Sequence, residues 1–443
     1  MGKKKKLSKK WGKHSRVSLR TSQGMAADHP KRIKRLASLL SQCLDQLKNE
    51  TTSSSTTTTT SSTTTTTTTI SLNDLPDDVL LRILGYLPST KQAIQASLIS
   101  RRWRNLWFRL PCLLFPATGT DKGTGYLHQE QPAEQMFIHR TLVLRPHESP
   151  QLQRFYVQYY YSHCLPYLQG LCDLESWVYY AINHGVQELE LDCYGPRYFD
   201  FPAGLSNANS SVRYLKITIR NTCPLYSHQP IKSLTSLRLE RLHFDDDCHV
   251  SDMLSLCQNL ESLSLENFRL GYTVSVIKIH FLKLKKLNLG MYNGNNKSLE
   301  IDCPNLTSLV MNHFEVRGIE LNDVSSLEEA RIYFPSSHYE QWLMVIKSVS
   351  HVRHLTTQSW CFKFLARKDL SNLSLFESPP CHLKHLEIRT DYSKFEVLAM
   401  ASFLQLLPYL EMLILEPPCR PKNLYKVNFE PFWSNLSIFS YPT

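Results

Sequence analysis

The sequence lacks the residue patterns that most often mark an active site or a metal site. Its twelve cysteines include no pair separated by two residues, so neither a zinc ribbon nor a thioredoxin-like redox pair is indicated. It contains no G-x-S-x-G, no H-E-x-x-H and no glycine loop of the G-x-G-x-x-G or Walker type,. We therefore predict no catalytic residue, no cofactor and no bound metal.

Long apolar segments are also missing. No run reaches the roughly 18 apolar residues that a transmembrane helix needs, and the lysine-rich N-terminus has no apolar stretch behind it that would make a signal peptide,. We expect no membrane partner and a protein of the nucleus and/or the cytoplasm, with its cysteines reduced.

The body of the chain lacks net charge, although the whole chain carries +11. Thirteen of the fifty basic residues and one of the 39 acidic residues lie before residue 36, which leaves 37 basic and 38 acidic residues in the remainder. A broad phosphate-binding face needs basic residues spread over the fold, so nucleic acid is disfavoured as a partner. The basic tail is a nuclear-import signal, a non-specific polyanion contact or a merely solvated arm.

Two segments precede the first folded module. Residues 1–50 are predicted to form a disordered basic arm with a short amphipathic helix, because apolar residues between Pro30 and Glu50 follow a heptad-like spacing,. Residues 51–69 are nineteen consecutive Ser and Thr, which predicts a flexible linker.

Residues 70–116 have the pattern of three short helices. Pro76 suits an early helical position, and two aspartates follow it near the positive end of the helix dipole,. Prolines at 88 and 111 end the first and third helices,. Because so small a module cannot bury all its apolar side chains, we expect it to dock on another surface.

The letters LPDDVLLRILGYLP followed by ASLISRRWRNLW resemble the F-box of plant F-box proteins. The resemblance implies binding to a Skp-type adaptor and, through it, to a cullin. The candidate adaptor-binding residues are Leu75, Pro76, Leu80, Ile83, Leu84, Leu87 and Trp103. Which of these apolar residues belong to the core of the module and which contact the adaptor is left open, as is a plain three-helix core without a partner.

Residues 117–185 are predicted to be a transitional region. The apolar cluster from Phe137 to Leu144 predicts a strand, whereas residues 174–186 predict a helix built on Leu174, Trp177 and Val178,. The aromatic-rich stretch from Gln153 to Cys164 favours a packing role over base stacking, because Arg154 is its only basic residue,.

A repeat begins at Val186, in which apolar residues recur at positions 1, 4 and 6. Ten copies follow one another at intervals of 21 to 31 residues, close to the leucine-rich-repeat period,. They begin at Val186, Val212, Leu234, Leu260, Leu284, Leu306, Leu327, Val352, Leu383 and Leu410. The pattern predicts an α/β solenoid over residues 186–420, with a parallel sheet on its concave face and the leucines pointing inward.

These turns resemble the leucine-rich repeats that follow the F-box in many plant F-box proteins, with one departure. Where many leucine-rich repeats have Asn or Cys, this chain has Leu242, Phe268, Tyr292 and Phe314. We therefore predict an apolar spine in place of an asparagine ladder. The segment ASFLQLLPYLEMLILEPP is similar to the FBD-type C-terminal region of a subset of these proteins, and residues 421–443 are predicted to cap the array.

Residues between and just after the strand leucines should point to the concave face. The candidate client-binding residues there are Lys216, Arg238, Glu240, Glu266, Arg331, Tyr333 and Arg389, because Arg and Tyr are enriched in interface hot spots. An ordinary solvated sheet face is the alternative. The acidic cluster from Asp245 to His249 is the best metal-like motif, but an exposed turn before a helix explains it better,.

The combined resemblance implies a non-catalytic substrate receptor of a Skp–cullin–F-box ubiquitin ligase, with an unknown client protein held by the repeats. The alternative is a leucine-rich-repeat scaffold that binds proteins without assembling a ligase.

Overall fold

The structure is a computed structural model that describes the greater part of residues 75–416. The described ranges are 75–96, 101–117, 131–160, 167–194, 199–200, 203–206, 210–219, 225–226, 230–244, 254–270, 275–362, 382–390, 396, 400–401, 403–404 and 407–416. The predictions for the basic arm, the Ser/Thr linker, the acidic cluster from Asp245 to His249 and the C-terminal cap lie outside these residues.

Three short helices open the described chain, as predicted. Helix α1 spans Asp77–Gly85, helix α2 spans Thr90–Ala96, and a 3-10 helix spans Trp103–Arg109. Pro76 is the N-cap of α1 rather than a residue inside its first turn, and Asp77 and Asp78 follow where the helix dipole favours negative charge,. The third element is a 3-10 helix, tighter than the α-helical spacing in the sequence suggests,.

A parallel sheet of thirteen strands forms the body of the described chain. Its strands are β1 Cys112–Phe115, β2 Arg154–Tyr160, β3 Glu188–Tyr194, β5 Tyr214–Ile219, β7 Ser236–Glu240, β9 Ser262–Glu266, β11 Val276–His280, β12 Lys286–Asp302, β13 Ser308–Leu321, β14 Glu329–Tyr333, β15 His354–Gln358, β16 His385–Arg389 and β17 Met412–Glu416. The strands follow chain order, with β11 beside β12. Short strands β4 Phe199–Asp200, β6 Leu225–Tyr226, β8 His243–Phe244 and β10 Arg269–Leu270 form two further pairs, β4 with β6 and β8 with β10.

Each of the ten predicted repeats supplies one strand of this sheet, and the strand leucines point into the core. In the first nine repeats every apolar residue of the signature is at most 7% exposed. In the last repeat Leu410, Leu413 and Leu415 are only half-buried. The predicted parallel leucine-rich-repeat sheet is confirmed.

The eighth repeat has Thr357 where the signature calls for an apolar residue, and the structure explains why this is tolerated. Thr357 is fully buried, and its hydroxyl accepts a 3.0 Å hydrogen bond from the indole N–H of Trp342. Trp342 lies in helix α5, Tyr339–Ser348, which follows a 3-10 turn at Ser336–His338. The inward polar group therefore has a partner, as buried hydroxyls require.

The prediction of a strand from Phe137 to Leu144 is wrong, because these residues lie in helix α3, Gln131–Leu144. Buried positions at Ile138, Thr141, Leu142 and Arg145 follow helical spacing,. A short apolar run cannot distinguish a strand from a buried helix.

The strand of this region is β2, in the aromatic stretch that sequence pattern left unplaced. Phe155, Val157 and Tyr159 alternate inward and are at most 2% exposed, so they have the packing role that was favoured. The sheet thus begins two strands before the first repeat recognised in the sequence.

Helix α4, Tyr167–Asn183, precedes β3 and agrees with the helix predicted there. Leu174, Trp177, Val178 and Ala181 are buried on the sheet. A further 3-10 turn spans Ala203–Ser206. Among the described residues, no helix combines the length and apolar character needed to cross a membrane.

An apolar spine runs along the turns that follow the strands, as the missing asparagines predicted. Leu242, Phe268, Tyr292 and Phe314 are at most 3% exposed. The rings of Phe268 and Tyr292 stack with centroids 4.6 Å apart, and those of Tyr292 and Phe314 with centroids 5.0 Å apart.

A left-handed residue precedes three members of the spine and turns the chain inward. These residues are Arg241, Asn267 and His313, with φ of 60°, 58° and 52°. Among residues other than glycine, Asn and His adopt these backbone angles most readily, so the conformational cost is expected mainly at Arg241. Burial of the next apolar side chain offsets that cost.

Candidate protein-interaction surfaces

Four of the predicted adaptor-binding residues form the internal core of the three-helix module. Leu80 is 0% exposed and Leu84 is 2% exposed, on the face of α1 that packs against the rest of the module. Leu75 and Trp103 are 8% and 3% exposed. Since little of these side chains reaches solvent, their direct role is to hold the module together.

The remaining predicted residues lie on an adjacent, accessible stripe of α1. Pro76 is exposed, and Ile83 and Leu87 are half-buried. Two residues that were not predicted share this stripe, the half-buried Val79 and Tyr86, which is 60% exposed. We call Pro76, Val79, Ile83, Tyr86 and Leu87 the α1 stripe; Val79 and Ile83 lie within the helix, Pro76 and Tyr86 cap it, and Leu87 follows it. Of the two residues that were not predicted, Val79 was detectable in the sequence, because Val79, Ile83 and Leu87 recur every fourth residue.

Ion pairs fix α1 to the 3-10 helix. Asp77 accepts hydrogen bonds from Arg102 at 2.6 Å and from Arg109 at 3.2 Å. All three side chains are more than a third exposed, so solvent screening limits their contribution to stability. Their effect is to set the orientation of the helix that carries the α1 stripe.

Two polar side chains join the helical module to the chain that follows it. Thr90, 2% exposed, accepts a 2.7 Å hydrogen bond from the backbone N–H of Leu114 in β1. Arg145, 3% exposed, donates to the carbonyls of Phe108, Leu110 and Pro150 at 3.1, 3.3 and 2.8 Å. The sequence did not reveal this role for either residue, because a single polar side chain gives no indication of the backbone group with which it will form a hydrogen bond.

Side chains on the sheet face opposite the leucines form two rows that cross the whole repeat array. We call this surface the polar face. The first row is Tyr156, Glu190, Lys216, Arg238, Ser264, Asn288, Val310, Arg331, Thr356, Glu387 and Ile414, which are partners in the strand register. The second row is Gln158, Asp192, Thr218, Glu240, Glu266, Gly290, Asn312 and Tyr333, and then Gln358, Arg389 and Glu416.

Four predicted client-binding residues form one ion-pair cluster on the polar face. Arg238 lies 2.5 Å from Glu240 and 3.3 Å from Glu266, and Lys216 lies 3.3 Å from Glu240. Asn288 donates a 2.7 Å hydrogen bond to Glu266. The cluster spans four strands, and its charged groups pair mainly with one another.

Burial and ion pairing act in opposite directions on Glu240. Desolvation raises the pKa of its carboxyl, but the hydrogen bond and charge of Arg238, with Lys216, outweigh it and leave the pKa below its ordinary value. The carboxylate is therefore ionised at neutral pH, and it holds both cations in place.

The other three predicted residues form a second cluster near the end of the array. Arg331 lies 2.6 Å from Glu329. Arg389 lies over the ring of Tyr333 at 4.3 Å from the centroid and pairs with Glu416 at 3.2 Å. Tyr333 is only 6% exposed, and burial raises its pKa to about 12. It was predicted as an accessible residue, but it acts instead as a platform for Arg389.

Asparagines at the start of some repeats are structural residues that sequence reasoning missed. The side-chain amide of Asn259 donates to the carbonyl of Lys232 at 2.9 Å, and that of Asn305 donates to the carbonyl of Leu282 at 2.7 Å. The signal was present, because both asparagines directly precede the first leucine of a repeat. Within the described ranges, no group of three or more potential metal ligands is present.

Comparison with known families divides the chain into the same two parts. A family profile described as At1g61320/AtMIF1, LRR domain, matches residues 143–428. A profile described as F-box-like matches residues 72–111.

Relatives in Arabidopsis thaliana combine both parts. The chain is 28% identical over 276 residues to F-box/FBD/LRR-repeat protein At2g04230, covering 59% of this chain and 57% of the relative. It is 28% identical to F-box/FBD/LRR-repeat protein At5g56420, covering 63% and 64%, and 24% identical to F-box/LRR-repeat protein At3g03360, covering 82% and 76%. The matched region thus spans less than two thirds of the first two of these relatives.

Proposed function

We propose that this chain, which belongs to the At1g61320/AtMIF1 leucine-rich-repeat family and carries an F-box-like module, is the substrate receptor of a Skp–cullin–F-box ubiquitin ligase. It is an F-box/leucine-rich-repeat protein of the plant type, as the sequence resemblance suggested. In this proposal the module binds a Skp-type adaptor, the repeats bind a client protein, and the chain works in the nucleus and/or the cytoplasm.

The observation that carries the proposal is the division of α1 into two apolar stripes. Leu80 and Leu84 are buried in the module, while the neighbouring α1 stripe remains accessible and includes Tyr86 at 60% exposure. A helix that is apolar on its outer face as well requires a partner to bury that surface. A protein adaptor supplies one.

The polar face is the proposed client surface. Its most exposed cations in the two clusters are Arg331 at 52%, Arg389 at 45% and Arg238 at 38%. A client that brings carboxylates to these guanidiniums would compete with the internal ion pairs, which favours partners of well-matched charge pattern over simply acidic ones.

The proposed mechanism needs no chemistry from this chain. Because Thr90 joins the helical module to β1 and Arg145 joins its end to Pro150, just before β2, a client on the polar face would be held at a fixed direction from the adaptor. Such placement raises the effective concentration of client lysines near the ubiquitin-loaded enzyme. The chain would then be a non-catalytic subunit.

Binding of the full chain to a recombinant Skp-type adaptor tests the proposal. Ile83→Glu places a charge in the α1 stripe and should weaken binding by about 2 kcal/mol or more, as expected for a buried interface anchor. Ile414→Glu is the matched control, since Ile414 is 43% exposed on the last described strand and lies in the polar face. It should leave adaptor affinity unchanged.

Two results would contradict the proposal. If the unmodified chain does not bind the adaptor, the alternative of a repeat scaffold without ligase assembly is favoured. If Ile83→Glu binds like the unmodified chain, the α1 stripe is not the contact.

The client surface has its own test. Charge reversal at Arg238 and Arg331 should abolish capture of the client in adaptor-affinity purification, because both residues lie in the first row of the polar face. Unchanged capture of the same client by this variant would exclude the polar face and direct attention to the loops at its rim.

A further inference from the structure

The two ends of the main sheet differ in how they are covered. At the first edge, Leu113 of β1 is 0% exposed, and the Thr90 hydroxyl of the helical module accepts a hydrogen bond from the backbone N–H of Leu114. At the last edge, Leu413 and Leu415 of β17 are only half-buried. In the part of the chain that the structure describes, the core of the array is therefore closed at β1 and open at β17.

Strand β17 is also open along its backbone. It pairs with β16 on one side, and no described strand pairs with its other side. Its residues on the polar face, Met412 and Ile414, are 47% and 43% exposed. An edge strand with free N–H and C=O groups readily pairs with another strand, and the last turn of a repeat array requires a cap. Some further segment is therefore expected beside β17.

The sequence after β17, outside the described ranges, contains one more copy of the repeat signature. Trp433, Leu436 and Ile438 occupy its positions 1, 4 and 6. Trp433 comes 23 residues after Leu410, within the 21 to 31 residues that separate the other repeats. Tyr441 comes three residues after Ile438, at the position that the apolar spine occupies in earlier repeats. Two independent features of the repeats thus recur at the expected distance.

A competing match to the signature lies nearer to β17 but is too close to it. Leu424, Val427 and Phe429 also have the spacing of positions 1, 4 and 6, but Leu424 comes only 14 residues after Leu410. A strand built on this match would leave nine residues, 417–425, for the crossover. Parallel strands need a crossover of about a dozen residues or more, so the copy that begins at Trp433 is the one that fits.

The existing strands give the register of the additional strand. In the tenth repeat the strand covers positions 3 to 7, Met412–Glu416, which correspond to residues 435–439 in the additional copy. Strand β16 pairs with β17 at equal repeat positions, for example at the strand leucines. The same rule places Leu436 beside Leu413 and Ile438 beside Leu415, with residues 417–434 as the crossover.

We propose that residues 435–439 form an eleventh repeat strand, parallel to β17 and on its free side, with Leu436 and Ile438 closing the core over Leu413 and Leu415. The exposed edge is thus occupied by a segment of this chain. The inference gives the predicted C-terminal cap a specific form, and it does not depend on the proposed ligase function.

Tethering favours this segment over a strand from another molecule. A segment joined to β17 by a short connection is present at a high effective concentration. A second copy related by a two-fold axis would instead place its β17 antiparallel to this one, whereas every pair of neighbouring strands in the described sheet is parallel. The added strand would also extend the polar face by Asn435, Ser437 and Phe439.

Hydrogen exchange of the unmodified full chain tests the proposal directly. The amides of residues 435–439 should exchange on average about tenfold or more slowly than in the denatured chain, because a strand in a sheet opens only by local unfolding. Exchange of these residues at the rate of the denatured chain would overturn the inference. This measurement requires no variant.

Two adjacent residues give a matched pair of variants. Ile438→Asp places a charge in the core and should speed exchange about tenfold or more both in residues 435–439 and in residues 412–416. Ser437→Asp is the control, since the proposed register places Ser437 on the polar face. It should change exchange in both segments less than about twofold. Equal effects of the two substitutions would contradict the proposed alternation.

Dependence on protein concentration distinguishes a second copy as the occupant. In the proposal, protection of residues 412–416 is the same at all concentrations. If it appears only at concentrations where size-exclusion chromatography shows a dimer, a second copy covers β17 and the inference is overturned. Adaptor binding is a separate outcome. Protected residues 435–439 in a chain that does not bind the adaptor would contradict the proposed function alone.

Discussion

Helix α1 and the strands of the polar face divide their side chains in different ways. On α1 the buried Leu80 and the accessible Ile83 are both large and aliphatic, and they lie one turn apart. On β7 the buried Leu239 and the accessible Arg238 differ completely in chemistry and are adjacent in sequence. The helix thus presents the same kind of surface to its own core and to the outside, whereas the strand separates the two by residue type.

This difference indicates how each region would bind a partner. Covering the α1 stripe removes apolar area from water, which gives affinity without directional contacts. On the polar face most charged groups already have partners within the chain, such as Arg238 with Glu240 at 2.5 Å. A client there gains little from each ion pair it replaces, so the polar face is suited to selecting a partner and the α1 stripe to holding one.

The largest expected effect separates the two stripes of α1. Leu80 is 0% exposed, so Leu80→Ala should lower the free energy of unfolding by about 2–5 kcal/mol through loss of burial and a residual cavity. Ile83→Ala should cost less than about 1.5 kcal/mol in the free chain, because the side chain is already partly in water. Chemical denaturation of both full-length variants measures the difference.

Equal destabilisation by the two substitutions would break the comparison, because both stripes would then belong to the core. Measuring adaptor affinity for the same two variants tests the difference between the two stripes further. Ile83→Ala should weaken binding although the free chain stays folded, and Leu80→Ala should weaken binding only as far as it unfolds the module.

A smaller effect is expected at Thr357, a polar residue at a repeat position that faces the core and is otherwise apolar. Thr357 faces the core and accepts a hydrogen bond from Trp342 at 3.0 Å. Thr357→Val keeps the shape but leaves the buried indole N–H without this acceptor, which should cost about 1–3 kcal/mol. Thr356→Val, on the polar face of the same strand, removes no acceptor from a buried donor. Although Thr356 is itself only 6% exposed, this substitution should therefore cost less than Thr357→Val. Thermal denaturation followed by circular dichroism compares them, and equal shifts would contradict the assigned faces.

Alternation in the strands made the polar face predictable from the sequence. A strand places successive residues on opposite faces. Once one leucine is assigned to the core, its neighbours in the strand are therefore assigned to the other face, and the register extends the assignment to the next strand. Lys216, Arg238, Glu240 and Glu266 were therefore placed correctly. Tyr333 was placed on the correct face, but its burial depends on Arg389, which comes 56 residues later and lies 4.3 Å from its ring.

Helical spacing was less informative. Leu80, Ile83, Leu84 and Leu87 fit one broad stripe in the sequence, yet only Leu80 and Leu84 are buried. Each helical residue is rotated by about 100° from the last, so a core stripe and a contact stripe can lie side by side with no break in the pattern. Helix α3 was mistaken for a strand for a related reason, since its apolar residues lie on both faces and leave no clear period.

The smallest expected effect compares two glutamates within the polar face. Burial and the neighbouring Glu416 raise the pKa of Glu387 above its ordinary value, whereas Arg238 and Lys216 hold the pKa of Glu240 below it against the effect of burial. A raised carboxyl pKa means that ionisation opposes folding, so Glu387→Gln should stabilise the chain at pH 7. A lowered pKa means that ionisation supports folding above the unfolded-state value, so Glu240→Gln should destabilise it at pH 7. Each change should be about 1 kcal/mol or less, because both sites are partly screened by solvent.

Urea denaturation across pH provides the sharper form of this comparison. The contribution of Glu240 is lost as the pH falls through its lowered pKa, and the penalty at Glu387 disappears as the pH falls through its raised one. The two Glu→Gln variants should therefore differ from the unmodified chain in opposite directions at pH 7 and approach it in acid, with Glu387→Gln converging at the higher pH. The same sign for both variants at pH 7 would mean that the second cluster holds its carboxylates as firmly as the first, and that the two ends of the polar face are electrostatically alike.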